Sequence, residues 1–285
     1  DGGTRQKFRK KLREGELDHP FVCFTFDDGY RDTLHHAYPI FQRRGLPFAV
    51  YVASDFADGR GDLWWLALEQ LLRQIDAIEV KIAGDMKRFS CRRPGEKTRA
   101  YRSIYRWLQQ LSEVDARGVV ADLCQTHGLD VSRLCSELIM SWDEIRDLAR
   151  DPLVTIGAHS LSHVPLGQFA YADARFEIVQ SVARIEREIG RPCRHFSFPC
   201  GDDGSVGPRE FELVAEAGIA TAVTAHGGLL RPDHGLALAA LPRVALSGDL
   251  QKPRYVKVML SGAPYALRKF AGRFNPRGAP ADAVA

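Results

Sequence analysis

Short apolar runs alternate with amphipathic stretches along this chain. The first run, at 21–26, is rich in aromatic and β-branched residues and is followed directly by two aspartates and a glycine. Apolar residues at helical spacing follow at 33–44, and a second apolar run occupies 48–52. A strand, a helix and a strand at this spacing predict a βαβ unit with parallel pairing. The continuous apolar run also indicates a first strand that is buried on both faces.

The same rhythm returns in the second half of the chain. Ser141 and Glu144 stand three residues apart in a capping-box pattern, which predicts a helix that continues to 150. The later predicted strands lie at 154–158, 196–198, 219–223 and 244–246, and the predicted helices lie at 172–189 and 208–217. Long helical patterns and few strand-like runs fill the region from about 58 to 140. The chain is therefore predicted to be an α/β protein with a mostly helical insertion.

Composition narrows the class of protein without naming a function. The 285 residues are 45% hydrophobic and 26% charged, with a net charge of +3, which is typical of a soluble globular protein. These values exclude a disordered chain, a collagen and a coiled coil, and they give no argument for a nucleic-acid partner. No apolar run is long enough to span a membrane. The expected divisions are an arm at 1–19, one catalytic domain at 20–272 and a tail at 273–285.

Cysteine usage and the N-terminus bear on the compartment. The six cysteines are widely spaced and form no CxxC pair, so free thiols in a reducing compartment are expected. The first residues lack the apolar stretch of a signal peptide, which favours the cytoplasm, although a trimmed leader would reverse this expectation.

Residues 87–106 hold eight Lys and Arg against one acid, Glu96. A solvated basic face is the favoured interpretation, with contact to an anionic glycan or a lipid phosphate as the alternative.

Polar residues with metal-binding chemistry follow the predicted strands. His159 and His163 are four residues apart, a spacing that aims both imidazoles at one point. Asp27 and Asp28 add two adjacent carboxylates, which point in different directions on an extended segment. One of them can bind a metal ion while the other faces its bound water. Because the carboxyl ends of parallel strands meet at one edge, these groups are expected to converge on a two-histidine, one-carboxylate site.

Three motifs in the chain resemble those of the polysaccharide deacetylases, which are carbohydrate esterase family four with the NodB-homology domain. TFDDG at 25–29 matches the first motif of that family and HSLSH at 159–163 the second, while FSFPCG at 196–201 is similar to the third. The resemblance covers roughly 20–56 and 141–246. It implies a deformed (β/α)7-type barrel, one divalent metal ion and hydrolysis of an acetyl group on a sugar. Zn²⁺ is the implied ion, with Co²⁺ or Ni²⁺ as alternatives.

The resemblance also assigns roles to individual residues. Asp28, His159 and His163 would hold the metal ion, and Asp27 would be the general base. The backbone N–H of Cys200 would donate to the oxyanion. Two further residues of the third motif, Pro199 and Gly201, would line the substrate pocket.

The sequence departs from the family pattern at several positions. The third motif has no arginine to orient the catalytic aspartate, and Arg243, just before the last predicted strand, is the candidate replacement. Cys200 stands where the family has an aromatic residue, and a buried, inert thiol is expected there. No late Leu-x-x-His motif is present, so the general acid is either His226, placed just after the 219–223 strand, or Asp27 acting in both directions. Trp64 and Trp65 form a candidate sugar-stacking platform.

These observations predict a hydrolase that acts on carbon–nitrogen bonds other than peptide bonds. The predicted reaction removes N-acetyl groups from an acetamido sugar in an oligo- or polysaccharide, so the expected partner is an N-acetylated glycan. Two alternatives stay open. The first is a small-molecule amidase with the same fold and metal ion, acting on cyclic amides or ureides. The second is a catalytically inactive glycan-binding protein, which the missing arginine of the third motif would favour.

Overall fold

The computed structural model describes residues 21–202, 204–246, 248 and 252–267. The strands are β1 (Phe24–Phe26), β2 (Phe48–Val52), β3 (Ala77–Ile82), β4 (Asp85–Ser90), β5 (Val154–Ala158), β6 (His195–Ser197), β7 (Thr221–Gly227) and β8 (Leu241–Arg243). The α-helices are α1 (Tyr38–Arg44), α2 (Ser54–Ala57), α3 (Trp64–Gln74), α4 (Pro94–Leu108), α5 (Glu113–Thr126), α6 (Leu134–Leu138), α7 (Trp142–Leu148), α8 (Tyr171–Ile189), α9 (Pro208–Glu216) and α10 (Pro253–Leu260). A π-helical turn at Thr33–Ala37 precedes α1. None of the described helices combines the length and apolarity that a membrane span requires.

Six of the strands form one sheet in the order β1-β2-β5-β6-β7-β8. The pairs β5–β6, β6–β7 and β7–β8 are parallel. Helices lie between most of these strands along the chain, as parallel pairing requires. The predicted α/β class is therefore confirmed, and the residues that follow β5 and β6 lie at the same edge of the sheet.

Two strand predictions need correction. The last strand is Leu241–Arg243 rather than 244–246, because Leu241 is buried beside β7 while Leu246 is 57% exposed. Pro242 lacks an N–H group and is tolerated because β8 is the last strand of the sheet. The first strand is limited to Phe24–Phe26 and is only half-buried, so the prediction of burial on both faces is wrong.

The insertion contains an antiparallel hairpin, β3–β4, that the sequence analysis does not predict. Ile78, Val80 and Ile82 are buried and alternate with exposed residues, which is the signal of a half-buried strand. The partner strand β4 is almost wholly exposed and polar, so its sequence has no such alternation. Ala83 and Gly84 connect the strands with positive φ angles of 51° and 95°, as a two-residue hairpin loop requires.

The chain divides into two compact units. One consists of Phe26–Thr155 and Leu161–Val164, and the other of 21–25, Ile156–Ser160 and the described residues from Pro165 onward. Within the first unit, helices α3, α4 and α5 and the hairpin share a buried apolar cluster, with Leu68, Ile78 and Ile104 at 0–1% exposure. Within the second unit, α8 and α9 are in contact and strands β6, β7 and β8 are paired. The predicted arm at 1–19 and tail at 273–285 lie outside the described residues, and the other domain boundaries stay predictions.

Lys97 shows that the basic segment 87–106 is partly structural. Its ammonium group donates to the carbonyl oxygens of Leu72, Arg73 and Ile75 at 2.7, 2.8 and 3.1 Å. These carbonyls belong to the C-terminal end of α3, where a positive charge is favourable. Lys97, one of the eight basic residues, thus caps the C-terminal end of α3. Glu96, the only acid of the segment, accepts hydrogen bonds from the N–H groups of Arg92 and Arg93 at the start of α4.

A charged pair joins the segment after β1 to helix α7. The guanidinium of Arg31 donates to both carboxylate oxygens of Glu144, at 2.9 and 3.1 Å, and also to the carbonyl of Ser136 on α6. Partial burial alone would raise the pKa of Glu144. The Arg31 charge and the Ser141 N–H outweigh burial and hold that pKa below its usual range.

We predict that Glu144→Gln lowers the free energy of unfolding by about 1–2 kcal/mol at pH 7, because the amide keeps the shape but loses the charge-assisted bonds. The pKa of Glu144 is lower in the folded state than its ordinary value of about 4.3, so the ionised carboxylate stabilises the fold at every pH above that value. This stabilisation is lost as the pH falls through the folded-state pKa. Urea unfolding at pH 7 and along the acid range measures both effects. Asp143→Asn, at an 87% exposed side chain of the same helix, should change stability by less than about 0.5 kcal/mol. Equal losses for the two variants at pH 7 would contradict this account.

Candidate metal centre

Two histidines and one aspartate form a cluster of potential metal ligands. One ligand atom from each of Asp28, His159 and His163 lies within 4.8 Å of the other two. Asp28 Oδ1 and His163 Nε2 are 3.3 Å apart. A tetrahedral ion with bonds of about 2.0–2.2 Å places its ligand atoms roughly 3.3–3.6 Å apart, so this separation suits a zinc-like ion. Oxygen and imidazole nitrogen are also the donor types that such ions take.

The position of His159 fixes which of its nitrogens faces the cluster. The residue directly follows β5, and only 2% of its surface is exposed. Its Nδ1 lies 2.7 Å from the carbonyl oxygen of Ser197, at the end of β6. A carbonyl oxygen can only accept a hydrogen bond, so Nδ1 carries the proton and the lone pair is on Nε2. A hydrogen bond of this kind orients a metal-binding imidazole.

His163 is held by aromatic neighbours rather than by a strand or helix. Its ring centroid lies 5.1 Å from that of Trp65 on α3 and 5.5 Å from that of Phe56 on α2. Trp65 in turn donates from Nε1 to the hydroxyl of Tyr30 at 3.2 Å. Burial, reinforced by the Asp28 charge, raises the pKa of Tyr30, so its hydroxyl is neutral at physiological pH.

Left-handed backbone is concentrated in the three motifs. Among the described residues, five that are not glycine have a positive φ, and four of these belong to the motifs: Asp28 (70°), Ser160 (57°), His163 (56°) and Cys200 (59°). The fifth, Ala83, is in the β3–β4 hairpin loop. Side chains with a Cβ are disfavoured in this conformation, and such strain is found preferentially at functional sites. This signal is independent of the residue types that suggest a metal site.

Arg243 lies at the end of β8, and its guanidinium contacts three strands. It donates to the carbonyl of Thr224 at 3.0 Å, to the hydroxyl of Thr25 at 3.2 Å and to the hydroxyl of Ser197 at 3.1 Å. Thr25 stands two residues before Asp27, and the Ser197 carbonyl is the acceptor for His159. Arg243 is therefore a half-buried residue at the strand ends and not a surface arginine, while its predicted action on Asp27 stays a prediction.

The third motif forms a tight turn next to β7. Pro199 and Gly201 are buried, but Cys200 is exposed, so the prediction of a buried thiol is wrong. The left-handed turn leaves the Cys200 side chain outside the core. Gly201 has a φ of 63°, and its carbonyl accepts from the N–H of Ala225 at 2.9 Å. The assigned roles of Pro199, the Cys200 N–H and Gly201 stay predictions.

The two tryptophans lie in different surroundings, and the substrate-binding role of Trp65 stays a prediction. Trp64 is 6% exposed, stacks on Tyr105 at 5.3 Å and donates to Glu113 at 3.2 Å, so its predicted contact with substrate is wrong. Adjacent residues of a helix face different ways. Trp65 therefore points elsewhere, and its neighbours include His163, Phe56 and Tyr30.

His226 lies within β7 rather than after it, because that strand extends to Gly227. Its backbone N–H donates to the Thr224 hydroxyl at 3.2 Å. The role of His226 as general acid stays a prediction.

The contributions of Ser197 and Arg117 were not predicted. Ser197 orients His159 through its carbonyl, and Arg117 on α5 donates to the carbonyl of Ser162 at 3.0 Å. No local sequence pattern indicates either contact.

The comparison with protein families bears directly on the motifs. The family model described as "Polysaccharide deacetylase" matches residues 97–221, a range that includes the HSLSH and FSFPCG segments and does not reach Asp27 or Asp28. Over this range, which is less than half of the chain, the sequence is similar to the polysaccharide deacetylases. The predicted family and the deacetylase hydrolase class are thereby confirmed. None of the curated proteins matches the sequence significantly.

Several solved structures are similar to this chain. The chain is similar to the deacetylase PplD of Streptococcus pyogenes in complex with acetate, at 12% identity and a TM-score of 0.54 over 89% of this chain and 76% of that chain. The deacetylase domain of BpsB from Bordetella bronchiseptica is 16% identical over 82% of this chain and 75% of that chain, with a TM-score of 0.48. IcaB from Ammonifex degensii is 16% identical over 90% and 88%, with a TM-score of 0.47. At these identities the likeness to PplD shows the fold, and it confirms the deformed (β/α) barrel.

We predict that Gly201→Ala lowers the free energy of unfolding by at least about 2 kcal/mol. A Cβ at this position would lie 2.5 Å from the backbone nitrogen of Ala225, and backbone cannot move aside cheaply. Gly45→Ala is the matched control, because Gly45 has nearly the same φ, 61°, but nothing within 4 Å of an added Cβ. That control should cost only the left-handed backbone strain, about 1–2 kcal/mol. Urea unfolding compares the two, and a larger loss for Gly45→Ala would contradict the close approach of Gly201 to β7.

Proposed function

We propose that this chain is a metal-dependent hydrolase that removes N-acetyl groups from an acetamido sugar in an oligo- or polysaccharide. The observation that carries the proposal is the Asp28, His159 and His163 cluster, with ligand atoms within 4.8 Å of one another. The family match supports the reaction class. The acetate in the PplD structure supports it further, because acetate is the product that deacetylation releases. Zn²⁺ is the preferred ion for two imidazoles and one carboxylate, with Co²⁺ and Ni²⁺ as alternatives.

The residues around the cluster have different roles in the proposed reaction. A divalent ion held by Asp28, His159 and His163 would supply Lewis-acid polarisation of the acetyl carbonyl and a lowered pKa for bound water. Asp27 removes a proton from the water as its oxygen adds to the carbonyl carbon. The Cys200 N–H donates to the carbonyl oxygen as negative charge develops there.

The second half of the reaction needs a proton donor. The carbon–nitrogen bond breaks, and the sugar nitrogen leaves as a free amine once it has gained a proton. His226 or Asp27 supplies that proton, Asp27 by returning the one it took from water. The products are acetate and the amino sugar, so one water molecule is consumed for each acetyl group.

Arg243 acts in this scheme as the residue that orients Asp27. Its guanidinium bonds to Thr25, which stands two residues before Asp27, and to Ser197, whose carbonyl is the acceptor of His159. A planar guanidinium holds such an arrangement better than an ammonium group, because its donors lie in a rigid fork. The arginine that the third motif lacks is thus supplied by a later strand.

We predict that Asp27→Asn lowers kcat/KM for N-acetylglucosamine oligomers by at least about 100-fold while zinc still binds with one ion per chain, because the amide cannot accept the water proton. Asp28→Ala should instead lose both zinc and turnover. Acetate release and zinc content, measured on the same protein samples, check both variants.

Two results would overturn the assignments. Unchanged turnover by Asp27→Asn would exclude Asp27 as the base. Zinc-loaded protein that releases no acetate from chitin oligomers would exclude the carbohydrate reaction, and cleavage of a cyclic amide or ureide under the same conditions would favour the small-molecule amidase.

We predict that Arg243→Met lowers kcat by about 10–100-fold with little change in KM or zinc content, and that Arg243→Lys restores only part of the loss. Steady-state kinetics at a temperature where all variants are folded makes the comparison. The exposed Arg99→Met on α4 is the control, with rates expected within about twofold of the parent protein. Parent-like kcat in Arg243→Met would exclude the orienting role.

A further inference from the structure

His163 lies in a segment without helix or strand. Residues 159–165 have no regular structure, and Ser160 and His163 both adopt the left-handed conformation. Neither a strand ladder nor helical hydrogen bonds therefore fix the ring of His163. Its position must come from contacts made by other parts of the chain.

Two of these contacts come from the insertion, and others come from helix α2. Arg117 on α5 donates from Nη2 to the carbonyl of Ser162 at 3.0 Å. Trp65 on α3 places its ring 5.1 Å from the ring of His163. The N–H of Asp55 on the neighbouring helix α2 donates to the Leu161 carbonyl at 2.8 Å. The residue before His163 and the ring of His163 are thus both held from the insertion.

Arg117 is itself fixed in place. Its Nε donates to Glu113 at 2.8 Å, one helical turn earlier, and the same carboxylate oxygen accepts from Trp64 at 3.2 Å. The Arg117 and Glu113 side chains are 23% and 13% exposed, so this pair is shielded from solvent. An arginine held on one edge by a carboxylate presents its remaining donors in a defined direction.

We propose that Trp65 and Arg117 are positioning residues for the metal ligand His163, so that the insertion sets the affinity of the metal centre. This inference rests on the proposed metal-dependent function. A ligand held in its binding geometry before the ion arrives loses less conformational freedom on binding, and the loss of such support costs about 10–100-fold in metal affinity. The insertion then has a role in the centre itself, separate from any contact with the glycan.

The test measures zinc affinity by competition with a chromophoric chelator, using the full chain. Trp65→Leu and Arg117→Met should each weaken zinc binding by about 10–100-fold, and Arg117→Lys should recover part of the Arg117 loss.

Trp107→Leu is the control for Trp65, because Trp107 also packs against the insertion core but on α4. Arg73→Met is the control for Arg117, because Arg73 forms an exposed pair with Glu69 at the same helical spacing. Both controls should keep the parent affinity within about threefold, even where Trp107→Leu lowers thermal stability.

A second measurement does not depend on metal. In metal-free protein, amide hydrogen exchange over residues 160–164 should be at least tenfold faster in Trp65→Leu and Arg117→Met than in the controls. Parent-like zinc affinity in both variants would overturn the positioning role. If the parent protein binds no zinc, the proposed function fails, and the exchange measurement alone decides the inference, with unchanged exchange counting against it.

Discussion

Two imidazoles and a carboxylate must be brought within a few ångströms of one another by segments that belong to no helix or strand. The backbone meets this requirement by turning through left-handed conformations at Asp28, Ser160 and His163. Such conformations persist only where the surroundings hold them. His159 is held by the Ser197 carbonyl and His163 by aromatic rings, so the site depends on hydrogen bonding for one histidine and on packing for the other.

Arg243 gives the strand ends a shared anchor. Its guanidinium joins Thr25, Ser197 and Thr224, which come from three different strands. The Ser197 hydroxyl that accepts from Arg243 belongs to the same residue whose carbonyl orients His159.

The sequence allows prediction of the features that depend on periodicity and residue type. The parallel strands, the helices with clear caps and the three ligands all follow from local patterns, as the capping box at Ser141 and Glu144 illustrates. Features that depend on burial were harder to predict. Tertiary contacts, which local sequence does not encode, determine the exposure of Cys200, the burial of Trp64 and the position of β8. The β3–β4 hairpin was missed because only one of its strands alternates, and Arg117 because its partner Ser162 is 45 residues away.

The central claim is that one divalent ion binds to Asp28, His159 and His163. Anomalous X-ray diffraction at the zinc edge, from crystals of the zinc-loaded chain, tests it most directly. The account predicts one peak about 2.0–2.2 Å from Asp28 Oδ1 and from Nε2 of both histidines, with Nδ1 of His159 still bonded to Ser197. A peak bound by other residues, ligation through Nδ1 of His159, or no peak at these three residues would contradict it.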